Sequence, residues 1–167
     1  GAVIFLASGM QVSAMDLQWV PDTGTLLVLL AEGVDSALYA ADAASEWALL
    51  RVCRGLPSSV DCLRAAGGGT VVGIGQDARR APELWAARTG ESKARALTEV
   101  NRAVGQLTIG RTSTIEWGST EGLSIEGLLT LPPGFKPGAP YPTVLIVHGG
   151  PAGRFRTDVG LAPRQLL

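Results

Sequence analysis

At 167 residues the chain is long enough to bury a core, and a single domain is the default expectation. Charged residues make up 17% of the sequence and the formal net charge is −1, so neither a nucleic acid nor an anionic membrane surface is an expected partner. Glycine (22 residues) and proline (10) are plentiful, as in chains built from short strands and turns, and no apolar run approaches the ~20 residues of a membrane span.

The chain opens at Gly1, inside an apolar run over residues 2–7 that reads as a strand. That run lacks the basic flank and cleavage site of a secretory signal, so a cytoplasmic location and a start inside a longer protein are expected. Cys53 and Cys62 have neither CxxC spacing nor accompanying histidines, which excludes a zinc or redox motif. Two buried free thiols are expected, with a disulfide as the alternative in a secreted parent. No metal or cofactor is expected.

From residue 12 the pattern is four short strands, at 12–20, 25–31, 37–41 and 47–52, with the first turn written Pro21-Asp22-Thr23-Gly24. The same order then recurs at 60–65, 70–75, 83–87 and 94–98, with Gly67-Gly68-Gly69 at the corresponding first turn. Thr25-Leu26-Leu27-Val28 matches Thr70-Val71-Val72-Gly73 at a spacing of 45 residues, and Leu38-Tyr39-Ala40-Ala41 matches Leu84-Trp85-Ala86-Ala87 at 46. A four-strand unit with this period is the signature of a β-propeller blade, and a β-sandwich with coincidental similarity is the alternative. Blades bury their faces against neighbours, so two of them are not expected to form an independent module.

Beyond Gln106 the strands lengthen. Residues 111–117 and 123–131 flank the turn Ser119-Thr120-Glu121-Gly122, and the proline-rich stretch over 132–140 reads as an exposed, stiff connection. It leads to Thr143-Val144-Leu145-Ile146-Val147, read as a buried strand of a parallel sheet, which stops at His148-Gly149-Gly150-Pro151. Residues 152–154 read as mobile and 161–167 as the start of a helix. A glycine pair at such a corner is either a tight turn beside an ordinary histidine or a site where backbone N–H groups face a substrate.

Leu97-Thr98-Glu99-Val100-Asn101, Glu116-Trp117, Ile125-Glu126-Gly127, Leu131-Pro132-Pro133-Gly134-Phe135 and Tyr141-Pro142 lead in that order into His148-Gly149-Gly150-Pro151. This order resembles the prolyl oligopeptidase family of serine peptidases, within it the acylaminoacyl-peptidase and dipeptidyl-aminopeptidase branch, and is sharp from about residue 97 to 153. The resemblance implies the last blades of a β-propeller over 1–104, followed over 105–167 by the first strands of an α/β-hydrolase domain. It implies that Gly150, with Gly149 beside it, supplies a backbone N–H of the oxyanion hole, with His148 and Pro151 supporting the loop. The implied substrates are short peptides or acyl-peptides.

The nucleophile is where this chain departs from the family pattern. No Gly-x-Ser-x-Gly elbow occurs; the imitation Gly122-Leu123-Ser124-Ile125-Glu126-Gly127 has one residue too many and sits after a hairpin, so Ser124 is read as a solvent-facing strand residue. Hydrolase chain order runs Ser, acid, His, which excludes the lone His148 as catalytic base and puts Asp158 too early to be the acid. No member of a triad is present, so the chain alone is expected to be inactive. Two other readings stay open: a non-catalytic propeller-like interaction module, and an esterase sharing the same oxyanion loop. Oligomeric state and the choice among dipeptidyl, acyl-amino-acid and internal cleavage are not legible.

Overall fold

A computed structural model describes residues 6–10, 12–52, 55–91, 93–150 and 153–159. Among them there is no α-helix; every sheet is antiparallel. The first four-stranded sheet runs in simple order through β1 (Ser13–Trp19), β2 (Leu26–Glu32), β3 (Asp35–Ala41) and β4 (Leu50–Arg51). The second does the same with β5 (Ser59–Ala66), β6 (Thr70–Gln76), β7 (Glu83–Arg88) and β8 (Arg95–Ala96). A separate hairpin pairs β9 (Arg111–Gly118) with β10 (Ser124–Leu131) in unbroken register.

The sequence repeat is a repeat of register. Asp16 lies opposite Leu29 and Asp61 opposite Ile74; Val28 faces Tyr39 and Gly73 faces Trp85; Tyr39 faces Arg51 and Trp85 faces Ala96. Each pair in the second sheet sits 45 or 46 residues after its counterpart. Even the register shift in the first strand recurs, between Ala14 and Asp16 in β1 and between Asp61 and Arg64 in β5. Such a shift adds a residue to one strand and increases its twist.

The sheets stack by unlike faces. Leu27, Leu29 and Leu38 of the first sheet meet Val60, Leu63 and Val71 of the second in one core. Leu29 and Leu38 are each 1% exposed, whereas their counterparts Ile74 and Leu84 are 41% and 46% exposed. The second sheet thus presents outward the face that the first one buries, as expected of a stack built by repetition. This arrangement is consistent with propeller-like blades, and β2 is accordingly buried along both faces while β6 is not.

Turn chemistry explains the element boundaries. Gly24 (φ 67°) closes the first turn, and Asp42 and Ser45 close the one after β3 by exchanging backbone and side-chain hydrogen bonds. The Leu97-Thr98-Glu99-Val100-Asn101 stretch wraps the Glu83 carboxylate, which accepts from the Thr98 hydroxyl and from the amides of Val100 (3.0 Å) and Asn101 (2.7 Å). The Thr98 bond, followed by these amides, pulls the Glu83 carboxyl below its ordinary range. On the hairpin, the Trp117 ring lies over Gly127, where a Cβ would come within 2.9 Å of it; Ser124 begins β10 exposed.

Several expectations change. Cys62 is exposed and free, because the shift in β5 turns it outward at φ 53°; Cys53 lies outside the described residues. The fourth strands shrink to two residues each, since only Leu50–Arg51 and Arg95–Ala96 find ladder partners. Residues 6–9 form a turn, and the remainder of the expected strand over 2–7, like the helix expected over 161–167, lies outside the described residues. The expected buried strand over 143–147 has no ladder partner among the described residues, and Val144, Leu145 and Val147 are 79%, 85% and 79% exposed. Its composition is that of a central strand, but a strand exists only where a neighbour supplies the ladder.

Candidate oxyanion loop

The approach to His148 is stiffened by two successive turns. Pro133-Gly134 is closed by the Phe135 amide donating to the Pro132 carbonyl (3.2 Å), and Pro137-Gly138 by the Ala139 amide donating to Lys136 (3.3 Å). Gly134 (φ 72°) and Gly138 (φ 83°) supply the positive φ that a turn with proline before glycine requires. Tyr141 then folds back, its hydroxyl accepting from the Lys136 amide at 3.0 Å and its ring resting 5.0 Å from that of Phe135. The proline-rich motif is therefore a closed spacer between β10 and the extended residues that follow.

At its end, the His148 Nδ1 lies 2.9 Å from the Gly149 carbonyl oxygen. A carbonyl only accepts, so Nδ1 carries the proton. The imidazole also meets the Phe155 ring edge-on at 5.5 Å. Gly153 packs against this knot so closely that a Cβ on it would fall 2.0 Å from the Gly149 oxygen, which is why glycine is required there. No serine or carboxylate is hydrogen-bonded to His148 among the described residues.

Gly149 and Gly150 are exposed, and neither amide enters a backbone hydrogen bond among the described residues. At Gly149 the φ is not in the left-handed region and a Cβ would meet nothing within 4 Å, so nothing among the described residues requires glycine there. Pro151 lies outside the described residues.

Of the stretch over 152–154 that reads as mobile, Gly153 packs against the corner and Arg154 is tied to the first sheet, while Ala152 lies outside the described residues. Arg154 donates from one nitrogen to the carbonyls of Gly33 and Asp35, both at 2.9 Å, and from the other toward Ser36 Oγ (3.4 Å) and Met15 Sδ (3.0 Å). Arg156 binds both oxygens of Asp61 at 2.8–2.9 Å, and the Thr157 amide donates to the Val34 carbonyl at 3.1 Å. Burial, with the neighbouring Arg156 next, draws the Arg154 guanidinium below its usual pKa, opposed by Asp35 and Asp61.

No family model matches the sequence and no curated protein matches it. Solved structures do. AtxE2 isopeptidase aligns at TM-score 0.58 and 17% identity over 75% of this chain and 19% of its own. The acylaminoacyl peptidase of Pyrococcus horikoshii aligns at 0.57 and 13% over the same shares, 75% and 19%. A puromycin-hydrolyzing peptidase of Mycobacterium tuberculosis aligns at 0.52 and 26% over 87% of this chain and 23% of its own. All three are peptidases. The chain spans about a fifth of the length of each, and one of them carries the name of the branch whose motif order this sequence resembles.

No group of histidine, cysteine or acidic side chains able to hold a metal occurs among the described residues, and no described helix is long and apolar enough to cross a membrane.

Proposed function

We propose that this chain is the junction section of a longer serine peptidase of the prolyl oligopeptidase family. Residues 1–104 supply its last propeller blades, and residues 105–167 open an α/β-hydrolase domain. The reading rests on one observation: a stack of two equivalent four-stranded sheets leads by way of a stiff spacer into an exposed His-Gly-Gly corner, along a chain that aligns with peptidases over 75–87% of its length.

In that setting residues 144–147, exposed here, are flanked by further strands of the hydrolase sheet. The N–H of Gly150, with Gly149 beside it, donates to the oxygen of a tetrahedral intermediate formed when a serine elsewhere in the longer protein attacks a peptide or acyl-peptide carbonyl. His148 holds the corner through its Nδ1–H and does not take the proton from the nucleophile. Loss of a triad serine or histidine removes on the order of a millionfold in turnover, so this chain alone is inactive.

A fluorophosphonate probe tests the proposal. The 167-residue chain remains unlabelled, while the longer protein is labelled on a serine outside it. Gly150→Pro in the longer protein, which deletes the N–H, lowers kcat by about a hundredfold to a thousandfold. Labelling of a serine within this chain, or an unlabelled longer protein, refutes the reading.

A further inference from the structure

The tip of the β2–β3 hairpin is built to be held by another part of the molecule. Glu32 pairs with Asp35, so the loop is Gly33-Val34, with Gly33 at φ 56° in the position that a two-residue turn of this kind reserves for glycine. Hairpin tips normally face water and satisfy their backbone there. Here Val34 is 6% exposed, and four main-chain groups of the tip are bonded to residues far along the chain. The Val34 amide donates to Glu126 Oε1 at 2.7 Å and the Val34 carbonyl accepts from the Thr157 amide at 3.1 Å. The carbonyls of Gly33 and Asp35 both accept from Arg154 at 2.9 Å.

The repeat provides an internal control. At the corresponding place in the second sheet, between β6 and β7, the loop closes on itself. Asp77 Oδ1 accepts from the amides of Arg79 and Arg80, both at 2.9 Å, and the Asp77 amide donates to the Arg80 carbonyl at 3.1 Å. One repeat satisfies its loop locally. The other leaves its tip to be read by β10 and by residues 154–157.

Arg154 and Arg156 are two residues apart in the segment that follows the corner. One takes the tip of the first sheet and the other takes Asp61 at the irregular strand of the second. The Gly149-Gly150 corner lies four residues before Arg154, within about 14 Å of fully extended chain. Through Gly153 and Phe155 it is also in contact with the anchored segment.

We propose that Glu126, Arg154 and Arg156 are positioning residues: they clamp the Gly33-Val34 tip and Asp61, and thereby set where the Gly149-Gly150 amides stand relative to the repeat sheets. For catalysis this rests on the peptidase reading; as a statement about the fold it does not.

Amide exchange followed by nuclear magnetic resonance on the longer protein, selectively labelled at glycine, valine, leucine and threonine amides, tests the clamp. Arg154→Met keeps the apolar stem and removes the donors. It accelerates exchange at Val34 and Thr157 at least tenfold and shifts the Gly149 and Gly150 amide signals, while Leu38 and Val71 in the core change less than twofold. Asp61→Asn, a milder change at a half-exposed side chain, moves the same corner signals in the same direction to a smaller extent. Asp77→Asn, in the self-closed loop, leaves them in place. Corner signals that stay put in both Arg154→Met and Asp61→Asn overturn the proposal, as does uniform acceleration across the core in both.

In the longer protein, Arg154→Met lowers kcat by about tenfold to a hundredfold with KM little changed. A shifted corner in a protein that no fluorophosphonate labels leaves the clamp standing and removes the peptidase reading; labelling with an unmoved corner does the reverse.

Discussion

Replacing Gly33 by alanine probes two separable costs at one atom. The residue sits at φ 56°, where a Cβ is disfavoured by about 1–2 kcal/mol. A Cβ there would also lie 2.0 Å from Glu126 Oε1, the atom that accepts from the Val34 amide. A glutamate tip moves easily, so the steric overlap itself is relieved by rotation. What is lost is a hydrogen bond to a charged acceptor at a partly buried site, about 1.5 kcal/mol. Gly33→Ala is therefore expected to destabilise the chain by about 3 kcal/mol. With a urea slope of about 2 kcal/mol per molar, the midpoint falls by about 1.5 M. The decisive assay is a double-mutant cycle with Glu126→Ala, read by urea unfolding. In the Glu126→Ala background the alanine at 33 keeps only its backbone cost, leaving a coupling of about 1.5 kcal/mol. Equal costs in both backgrounds refute the argument that Glu126 reads this turn, and an unchanged midpoint in Gly33→Ala refutes the strain as well.

Two more perturbations check the core and the Glu83 wrap. Leu38→Ala, at a side chain 1% exposed between the sheets, costs about 2–5 kcal/mol, whereas Leu50→Ala, at 59% exposure, stays within about 0.5 kcal/mol; similar losses at both sites contradict the stacking. Glu83 has a folded-state pKa below its unfolded value, so its contribution is complete above the ordinary glutamate range near 4.5 and disappears as pH falls through the lower folded value. Glu83→Gln flattens stability against pH in that acid window and nowhere else; parallel curves for the two proteins rule the wrap out.

The first three strands of each repeat were legible because apolar runs and turn residues agreed there. Short apolar-rich runs mark β5 and β6, and Gly67-Gly68-Gly69 separates them, with Gly68 and Gly69 at φ 69° and 71°. The repeat spacing of 45–46 residues implied two equivalent units, and the pairing of Val28 with Tyr39 and of Gly73 with Trp85 is one alignment seen twice. Residues 143–147 failed for the opposite reason: apolar composition reports what a strand would bury, not whether a partner is present. The anchoring by Arg154 was invisible because it depends on carbonyls at Gly33 and Asp35, and every residue has a carbonyl; that of Arg156 depends on Asp61, 95 residues earlier, which nothing in the local sequence pairs with it. Cys62 was misjudged because a one-residue shift in a strand reverses the face, and composition does not record such shifts. The His148-Gly149-Gly150 corner was visible as a motif, but its bond from Nδ1 to its own neighbour was not.

The bare apolar stretch at Val144, Leu145 and Val147 has a consequence for how any protein containing it is made. Its main-chain groups accept whichever complementary edge arrives first, and the capture of a foreign edge grows with concentration, whereas docking to a tethered neighbour does not. Slow synthesis at low abundance therefore favours the correct partner, and rapid overproduction favours inclusion bodies.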